Sequence, residues 1–521
     1  MATTLSFKDY IDQPAWRPEA PALAVSGTGM QMCSDPRNNA YRNPFLYFLR
    51  STTLFEFYDP LRGDWGLLPP LNLNFVAAGS FMVFHPSQGP RGTLAAGATT
   101  QKVVLSTALP SAVAANQLAN RGDGTGFRIR IVGLASGKTE EKYIIANTSG
   151  TTPTLTLDSV LSFTPATGDI YEIRSGRIFV DGGSTQAANN FRYYDLATNF
   201  ASATLSITNL PAAITTDSAC IALSEDNVPF DRIPGDGFVT GGATYNAGIN
   251  QCILATASSS TTVTGSGMPA DLVANEYTNF QVRIVEDTTT PTSVGQRRRI
   301  ASHTSGATGV FTVAAFAVTP STSCKFVIEN DDDKLILRTS ANTTTYNYNI
   351  TANTWDTTTW AAAPAANGTG NAFAQAYGPT RDTSNNFRHS FAYFFRGGLG
   401  STLDVLDIAG GATGVWSSNV TYGNSSANQG FGNGAATYYD GATLGGKYLH
   451  IGIGAASQRM MRFDVRNRVL ESGTYMRFPQ GAAVTGNKLA GALFVDGATK
   501  LTMLYQITNS QAQMFSLAVP R

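Results

Sequence analysis

Charged residues are scarce in this chain of 521 residues. They make up 14% of the sequence, against about a quarter in typical soluble proteins. The 36 basic residues balance the 36 acidic ones, so the formal net charge is zero. A neutral chain offers no basic surface for nucleic acid or for an anionic membrane. It also gives a free monomer little protection against association, which suits a protein that works within an assembly.

Long apolar runs are absent too. No uninterrupted stretch of about 18 apolar residues occurs, so the sequence predicts no membrane-spanning helix. The N-terminal MATTLSFKDYIDQPAW lacks the basic start and the apolar core of a signal peptide, so we expect synthesis in a cytoplasm. Four cysteines lie far apart without CxxC spacing, and we expect reduced thiols, with two disulfides or a metal site as the alternatives. They are Cys33, Cys220, Cys252 and Cys324.

Sequence signatures of catalysis are also missing. Four histidines lack the i, i+2 or i, i+4 spacing of a metal-binding pair, and they are interpreted as structural: His85, His303, His389 and His450. No G-x-S-x-G motif occurs, and GDGTGF at 122–127 precedes a predicted strand instead of joining a strand to a helix. The sequence therefore predicts no enzyme, no catalytic residue, no cofactor and no metal ion.

Three short motifs each have two interpretations. The tripeptide Arg121–Asp123 reads RGD, which fits a hairpin loop or an adhesion motif. Arg297–Arg299 is either a contact to an acidic neighbouring subunit or DNA, or a solvated strand edge. ENDDDK at 329–334 has oxygen ligands for Ca²⁺ but lacks the glycine and distal glutamate of known loops, so a linker is the simpler interpretation.

The residues that replace charge are Thr, Ala, Asn, Ser and 51 Gly. This mixture favours short β-strands joined by tight turns over long surface helices. A short motif recurs on that background, with an aromatic residue before an acid or its substitute. Its copies are FYDPLRGDW at Asp59, YYDLATNF at Asp195, YNITANTW at Asn349, VLDIAGGATGVW at Asp407, FDVRNRVL at Asp464 and, more faintly, MFSLAV at Ser516.

A strand pair precedes each copy, and a tryptophan opens a third strand after several of them. This pattern resembles the kelch repeat of β-propellers, whose period is about 50 residues. The last three spacings are 58, 57 and 52 residues. Diglycines occur at the family's position in Gly182–Gly183 and Gly397–Gly398, but the units at 46–70 and 334–360 lack them. The resemblance implies tryptophans that pack between adjacent blades.

Ring closure is predicted from Trp16. PAWRPEAPALAV around it reads like an outer strand without a preceding blade, whereas the unit at 488–521 lacks that strand. Propellers remove two exposed edges when one terminus completes the blade of the other. We therefore predict an all-β fold, a propeller of about six blades closed by N- and C-terminal strands, with a β-sandwich as the alternative.

Two stretches, at 101–173 and 250–328, resemble each other. Phe127 matches Phe280, Arg130 matches Arg283, and the turn Asn147–Gly150 matches His303–Gly306. Alternating apolar and polar residues predict small antiparallel β modules of four or so strands, inserted between blades. The predicted division is 1–100 for the closing strand and first blade, 101–175 for module 1, 176–249 for a propeller blade, 250–330 for module 2 and 331–521 for the remaining blades.

The sequence pattern of these modules is similar to that of small β modules in tailed-bacteriophage virion proteins. The resemblance implies a structural virion component, in the tail, baseplate, collar or head decoration, which acts by protein–protein assembly. Expected partners are other virion proteins, in multiple copies on a symmetric particle, with no membrane and no specific nucleic acid. The expected location is the virion, after synthesis in the bacterial cytoplasm.

A carbohydrate-binding or glycan-active propeller is the alternative, with a host glycan as partner. Tyr377, Tyr438 and Tyr439 near predicted blade ends could stack on sugars, although packing inside the protein is the simpler role. Sialidase-type S-x-D-x-G-x-T-W turns do not occur. A funnel lined with converging carboxylates or arginines at the propeller axis would favour an enzyme. A plugged axis would favour a structural subunit.

Overall fold

The computed structural model covers the whole chain. It describes all residues except 1–15, 23–28, 35–44, 75, 78, 110–112, 120–125, 184–189, 204–217, 224–252, 269–271, 276, 279, 330–332, 340, 357–359, 369–371, 382–386, 399–401, 409–412, 422–435, 441–447, 455–456, 466–468, 472–475, 478–487, 497–498, 508–511 and 520–521. About half of the chain is strand (53%) and 2% is helix, so the fold is all-β.

The strands of the first half are β1 (Arg17–Pro18), β2 (Gln31–Ser34), β3 (Leu46–Leu49), β4 (Phe55–Asp59), β5 (Asp64–Leu68), β6 (Phe81–His85), β7 (Arg91–Thr93), β8 (Lys102–Val104), β9 (Arg128–Gly133), β10 (Lys138–Asn147), β11 (Thr154–Leu157), β12 (Ile170–Arg174), β13 (Arg177–Asp181), β14 (Phe191–Asp195), β15 (Phe200–Ala201), β16 (Ser218–Leu223), β17 (Ile253–Ser258) and β18 (Thr262–Gly265). Short 3₁₀ turns lie at Gln117–Ala119 and Pro291–Ser293.

The strands of the second half are β19 (Gln281–Glu286), β20 (Arg297–His303), β21 (Val310–Val313), β22 (Lys325–Glu329), β23 (Lys334–Thr339), β24 (Tyr346–Asn349), β25 (Thr354–Asp356), β26 (Ala372–Arg381), β27 (Phe387–Phe395), β28 (Thr402–Asp407), β29 (Val415–Thr421), β30 (Ala436–Asp440), β31 (Tyr448–Gly454), β32 (Ser457–Asp464), β33 (Val469–Leu470), β34 (Met476–Arg477), β35 (Lys488–Asp496), β36 (Thr499–Ile507) and β37 (Phe515–Ala518).

Six antiparallel sheets form the blades of a propeller. Blades 1 to 6 are β2-β3-β4-β5, β6-β13-β14-β15, β16-β23-β24-β25, β26-β27-β28-β29, β30-β31-β32-β33 and β35-β36-β37-β1. The first strand of each blade contacts the first strand of the next, and β35 returns to β2, so the ring is closed. The predicted six-bladed propeller is confirmed.

The N-terminal segment completes blade 6. Arg17 pairs with Ser516 and Pro18 with Phe515, and the Glu19 N–H donates to the Met514 carbonyl at 2.9 Å. Trp16 packs against the cluster between blades 5 and 6. The predicted closure by both ends of the chain is therefore present, and it covers the outer edge that β37 would otherwise expose.

Six apolar clusters fill the six seams between neighbouring blades. The tryptophans lie in these seams, as the repeat predicted. Trp65 of blade 1 donates its indole N–H to the Ala20 carbonyl at 2.9 Å, and Trp416 of blade 4 donates to the Ala361 carbonyl at 2.8 Å. Burial of such a ring contributes on the order of 2–3 kcal/mol, so the indoles help to hold adjacent blades together.

The recurring aromatic–acid motif forms the turn between the third and fourth strands of a blade. The Asp195 carboxylate accepts the N–H groups of Ala197 and Thr198 at 3.0 and 3.2 Å. Asn199 adopts a positive φ of 52° and accepts the Tyr194 hydroxyl. Tyr348 and Asn353 repeat this arrangement in blade 3. The motif therefore recurs with similar residues because its copies form the same type of turn.

Both inserted modules are closed six-stranded barrels. Barrel 1 runs β7-β12-β9-β10-β11-β8, and a bridge between Leu94 and Leu105 closes it. Barrel 2 runs β17-β22-β19-β20-β21-β18 and closes through β17 and β18. Each has its own apolar core. The expectation of about four strands was wrong, because the short strands β7, β8, β17 and β18 at their starts carry little alternation.

The barrels interrupt blades instead of lying between them, which corrects the sequence-based placement. Barrel 1 separates β6 from β13 within blade 2, and barrel 2 separates β16 from β23 within blade 3. Both therefore leave the disc from the loop between the first and second strands of adjacent blades. Barrel 1 begins at Arg91, ahead of the predicted boundary at residue 101.

The two barrels agree in register as well as in order. Asn147 and His303 occupy the same place, opposite Leu155 and Phe311, and the same β-bulge precedes each of them. Asn116 and Asn275 have φ values of 62° and 64° and precede the matching strands. The Asn147 carbonyl accepts from Asn116 at 2.8 Å and the His303 carbonyl from Asn275 at 3.1 Å. The barrels are thus two copies of one unit.

Candidate functional site

The propeller axis is lined by the first strand of each blade, and these strands carry few charges. Their ionisable residues other than Cys and Tyr occur only at strand ends: His85, Arg381, Asp440, Lys488 and Asp496. The side chains of Arg381, Asp440 and Asp496 lie outside the described residues. Side chains at the starts of β2, β6 and β16 join neighbouring blades. The Ser80 and Ser218 hydroxyls donate to the Gly29 and Gly79 carbonyls, respectively. The Gln31 side-chain amide donates to the Ser80 carbonyl at 2.7 Å. In the part of the chain that the structure describes, no funnel of converging carboxylates lines the axis.

Outside the propeller disc, the two inserted barrels contact each other through their backbones. Lys138 of β10 pairs with Glu286 of β19, so one sheet runs through both barrels. The Asp287 N–H donates to the Gly137 carbonyl at 2.7 Å. Gly137 has a φ of 66°, and a Cβ there would lie 2.2 Å from the Asp287 oxygen. The close approach of the two barrels therefore requires glycine at this position.

A ladder of alternating charges crosses four strands of barrel 1. In register, Glu141 lies beside Arg130, Arg130 beside Glu172, and Glu172 beside Arg91. The Arg130 guanidinium lies 2.6 Å from Glu141 and 3.3 Å from Glu172. Arg130 and Glu141 are buried although they alternate with core residues such as Ile131, so this outer barrel face is covered by the rest of the molecule.

The ladder continues electrostatically into barrel 2. Burial raises the pKa of Glu172, but the positive charges of Arg130, Arg91, Arg297 and Arg174 outweigh it and lower that pKa to about 2. Arg297 belongs to β20 of barrel 2. Its guanidinium lies 2.5 Å from Glu329, which also accepts from Arg283 at 3.0 Å. Each barrel thus has its own cluster of carboxylates and arginines, and the charge of Arg297 links the two clusters electrostatically at the junction.

The basic run Arg297–Arg299 contacts groups of its own chain. Arg297 pairs with Glu329. Arg298 donates to the Ala315 carbonyl at 2.8 Å and its guanidinium lies over the Phe316 ring. Arg299 lies 5.4 Å from the Trp360 ring in the seam between blades 3 and 4. These contacts tie barrel 2 internally and to the disc.

The remaining candidate residues have structural surroundings where the structure describes them. His303 Nε2 accepts the Tyr277 N–H at 2.8 Å, and Nδ1 lies 2.9 Å from the Thr304 carbonyl. Burial, with the nearby Arg462 charge, lowers the pKa of His450 to about 3. Burial and the Asp287 charge raise the pKa of Cys324 to about 12. Cys252, the RGD at 121–123 and the side chain of His389 lie outside the described residues.

The tyrosines considered for sugar stacking serve packing where they are described. A Cβ at Gly491 would lie 2.1 Å from Cζ of Tyr438, so this ring lies against the first strand of blade 6. Tyr439 packs against the cluster between blades 4 and 5. The side chain of Tyr377 lies outside the described residues.

Exposed apolar side chains mark the outer strands and barrel 1. Leu67, Val415 and Val469 lie on the outermost strands of blades 1, 4 and 5 and are 65%, 54% and 54% exposed. In barrel 1, Ile145 is 52% and Val160 is 59% exposed. Exposed apolar residues that are scattered singly are ordinary on a protein surface, and a contact surface is indicated only where they form a contiguous patch.

Within the described residues, no group of three His, Cys, Asp or Glu side chains is placed to hold a metal ion. Over the same part of the chain, no helix has the length and the apolar character needed to cross a membrane.

Sequence comparison finds no match: no protein-family description fits the chain, and no curated protein matches it. Among solved structures, it is similar to a chain of the mitotic checkpoint complex at 8% identity over 100% of this chain and 99% of that one, with a TM-score of 0.33. The dihydro-heme d1 dehydrogenase NirN in complex with DHE gives 11% identity, coverage of 81% and 78%, and a TM-score of 0.21. The GH74 enzyme of Niastella koreensis gives 11%, 91% and 65%, and 0.19. At TM-scores this low, none of these similarities bears on function.

Proposed function

We propose that this protein is a structural subunit of a larger assembly, and that the assembly is a tailed-phage virion. The observation that carries the proposal is the duplicated barrel pair. Two copies of one unit leave equivalent loops of adjacent blades and share a sheet, and the charge of Arg297 in barrel 2 acts on Glu172 in barrel 1. A rigid disc that presents fixed modules on one side is suited to positioning contacts.

Two further features support an assembly role over chemistry. The inner strands have no charged residue away from their ends, so their acid–base groups are limited to the strand ends, thiols and phenols. The low charge and zero net charge permit close contact with other proteins. The finer assignment to a phage particle rests on the similarity of the barrel sequences to virion modules.

Particle composition tests the assignment. Particles from the source culture are banded on a density gradient, and peptides of this chain are quantified against those of a major particle protein. We expect a constant ratio of the two across the particle band. Absence of this chain from the band would contradict the virion assignment, and binding to a glycan array with no particle association would favour the alternative.

A matched pair of variants tests whether barrel 1 makes the contact. Ile145 and Ala301 occupy the same bulge position in the two barrels, and both are exposed. Ile145→Lys should reduce incorporation into particles when it replaces the wild-type copy. Ala301→Lys, with the same added charge on barrel 2, should leave incorporation unchanged. Equal effects of both variants would rule out a specific contact through Ile145.

A further inference from the structure

Asp181 is buried in the seam between blades 2 and 3. It is the last residue of β13 and is 2% exposed. Its register partners on either side are Phe81 of β6 and Phe191 of β14. Both rings belong to the apolar cluster of this seam, and directly paired residues project to the same face of a sheet, so the carboxyl group lies on the seam side of blade 2.

Asp181 has no basic partner among the described residues, in contrast to three other buried acids of the blades. Glu56 pairs with Arg50, Asp195 with Arg177 and Asp404 with Arg396. Asp181 accepts one hydrogen bond, from the Gly183 N–H at 2.7 Å. One hydrogen bond compensates only part of the cost of burying a carboxylate.

The groups that face Asp181 across the seam do not neutralise it either. Cys220 on β16 of blade 3 interacts with it, and burial together with the Asp181 charge raises the pKa of that thiol. Tyr193 of blade 2 and Tyr346 and Tyr348 of blade 3 are further titratable groups of the seam. His85 and Asp195 lie on the same face of blade 2, at the end of the sheet away from Asp181. Arg177 lies at the opposite end of β13.

We propose that Asp181 makes the seam between blades 2 and 3 a pH-sensitive joint, closed while the carboxyl keeps its proton and easier to open once the proton is lost. The joint lies between the two blades from which the barrels project, so its opening would loosen the mutual support of the modules. This inference does not depend on the virion assignment.

The direction of the effect follows from linkage. Burial raises the pKa of Asp181 from 3.8 to about 7, against the opposing hydrogen bond from Gly183. The closed seam therefore holds a proton that the open seam releases between these two values. The stabilising effect of the proton is complete below pH 3.8 and is lost as the pH rises to about 7. Opening becomes about tenfold more favourable per pH unit in that window and is constant above it.

Hydrogen–deuterium exchange of the full-length chain between pH 5 and 8.5 tests the proposal. The exchange rate of a peptide covering β16 is divided by that of one covering β28 in blade 4, which cancels the intrinsic pH dependence of amide exchange. For the wild type we expect this ratio to rise about tenfold per pH unit up to about pH 7 and then to level off.

Asp181→Asn keeps the shape of the side chain and cannot ionise, so its ratio should not change with pH. Asp64→Asn, at an exposed aspartate of blade 1, should reproduce the wild-type profile. A flat wild-type ratio would overturn the proposal, and this outcome can be read even if Asp181→Asn fails to fold. A rising ratio in Asp181→Asn, parallel to the wild type, would overturn it as well.

Discussion

Replacing Glu141 by glutamine removes one negative charge from the buried centre of barrel 1 and keeps the shape of the side chain. The Glu141 carboxylate lies 2.6 Å from Arg130, 3.4 Å from Arg128 and 3.7 Å from Arg174, and its side chain is 1% exposed. Glutamine retains one acceptor oxygen but cannot balance these guanidinium groups. Positive charge would then remain buried with less compensation.

The size of the effect can be bracketed from the geometry. Removing one partner of a buried ion pair costs about 3–5 kcal/mol, because the other charge stays buried. Arg91→Gln acts at the exposed end of the same ladder, where the Arg91 side chain is 45% exposed and lies 4.0 Å from Glu172. A pair of that kind contributes about 0–1 kcal/mol. We therefore expect a difference of several kcal/mol between the two variants.

Native-state hydrogen exchange is the suitable assay, because one unfolding midpoint is not well defined for a disc with two inserted barrels. Amides of β9 and β10 should lose protection corresponding to about 3–5 kcal/mol in Glu141→Gln and at most about 1 kcal/mol in Arg91→Gln. Amides of blade 5 should be unchanged in both. Protection losses within 1 kcal/mol of each other would refute the assignment of Glu141 as the centre of the network.

Three further changes test the disc. Deletion of residues 1–22 should lower the melting temperature and promote association measured by size-exclusion chromatography, because blade 6 loses its outer strand; an unchanged monomer would contradict the closure. Gly491→Ala should lower the protection of β35 amides in native-state hydrogen exchange by about 1–3 kcal/mol, because the new methyl group meets Tyr438. The loss should largely vanish when Gly491→Ala is made in a Tyr438→Ala background. The wild type should lose stability as the pH falls from 6.5 towards 3, because the lowered pKa of His450 makes its protonation in the folded state unfavourable. His450→Gln should not show this loss, and equal acid profiles of the two proteins would refute the reasoning.

The blade count and the ring closure could be predicted from sequence because both depend on local chemistry. Asp59, Asp195 and Asn349 close the same turn with their own side chains, and the pattern stays within one strand–turn–strand segment. The ring closure could be predicted for a similar reason. The segment at Trp16 is recognisable as an outer strand without a blade, and the last unit is recognisable as a blade without its outer strand.

The position of the barrels and the buried charges could not be predicted in this way. Whether an insertion falls between blades or inside one depends on where β6 and β16 pair, and their partners β13 and β23 lie beyond the whole barrel in sequence. The charge ladder unites Arg91, Arg130, Glu141 and Glu172, which no spacing rule connects. Asp181 is unusual only because its neighbours are uncharged, which depends on the fold.

Differences between the two barrels locate where their roles diverge. Lys142 and Arg298 occupy equivalent positions beside the matched Glu141 and Arg297. In barrel 2, Arg298 covers Phe316, which is 5% exposed. In barrel 1, Lys142 lies 3.5 Å from Glu140 instead. Leu161 takes the place of Phe316 and is 3% exposed, and Val160 just before it is 59% exposed. A partner that buries Val160 would gain more apolar contact on barrel 1 than on barrel 2, where the smaller Ala315 is exposed just before Phe316, so the duplicated unit presents two distinct surfaces on one rigid support.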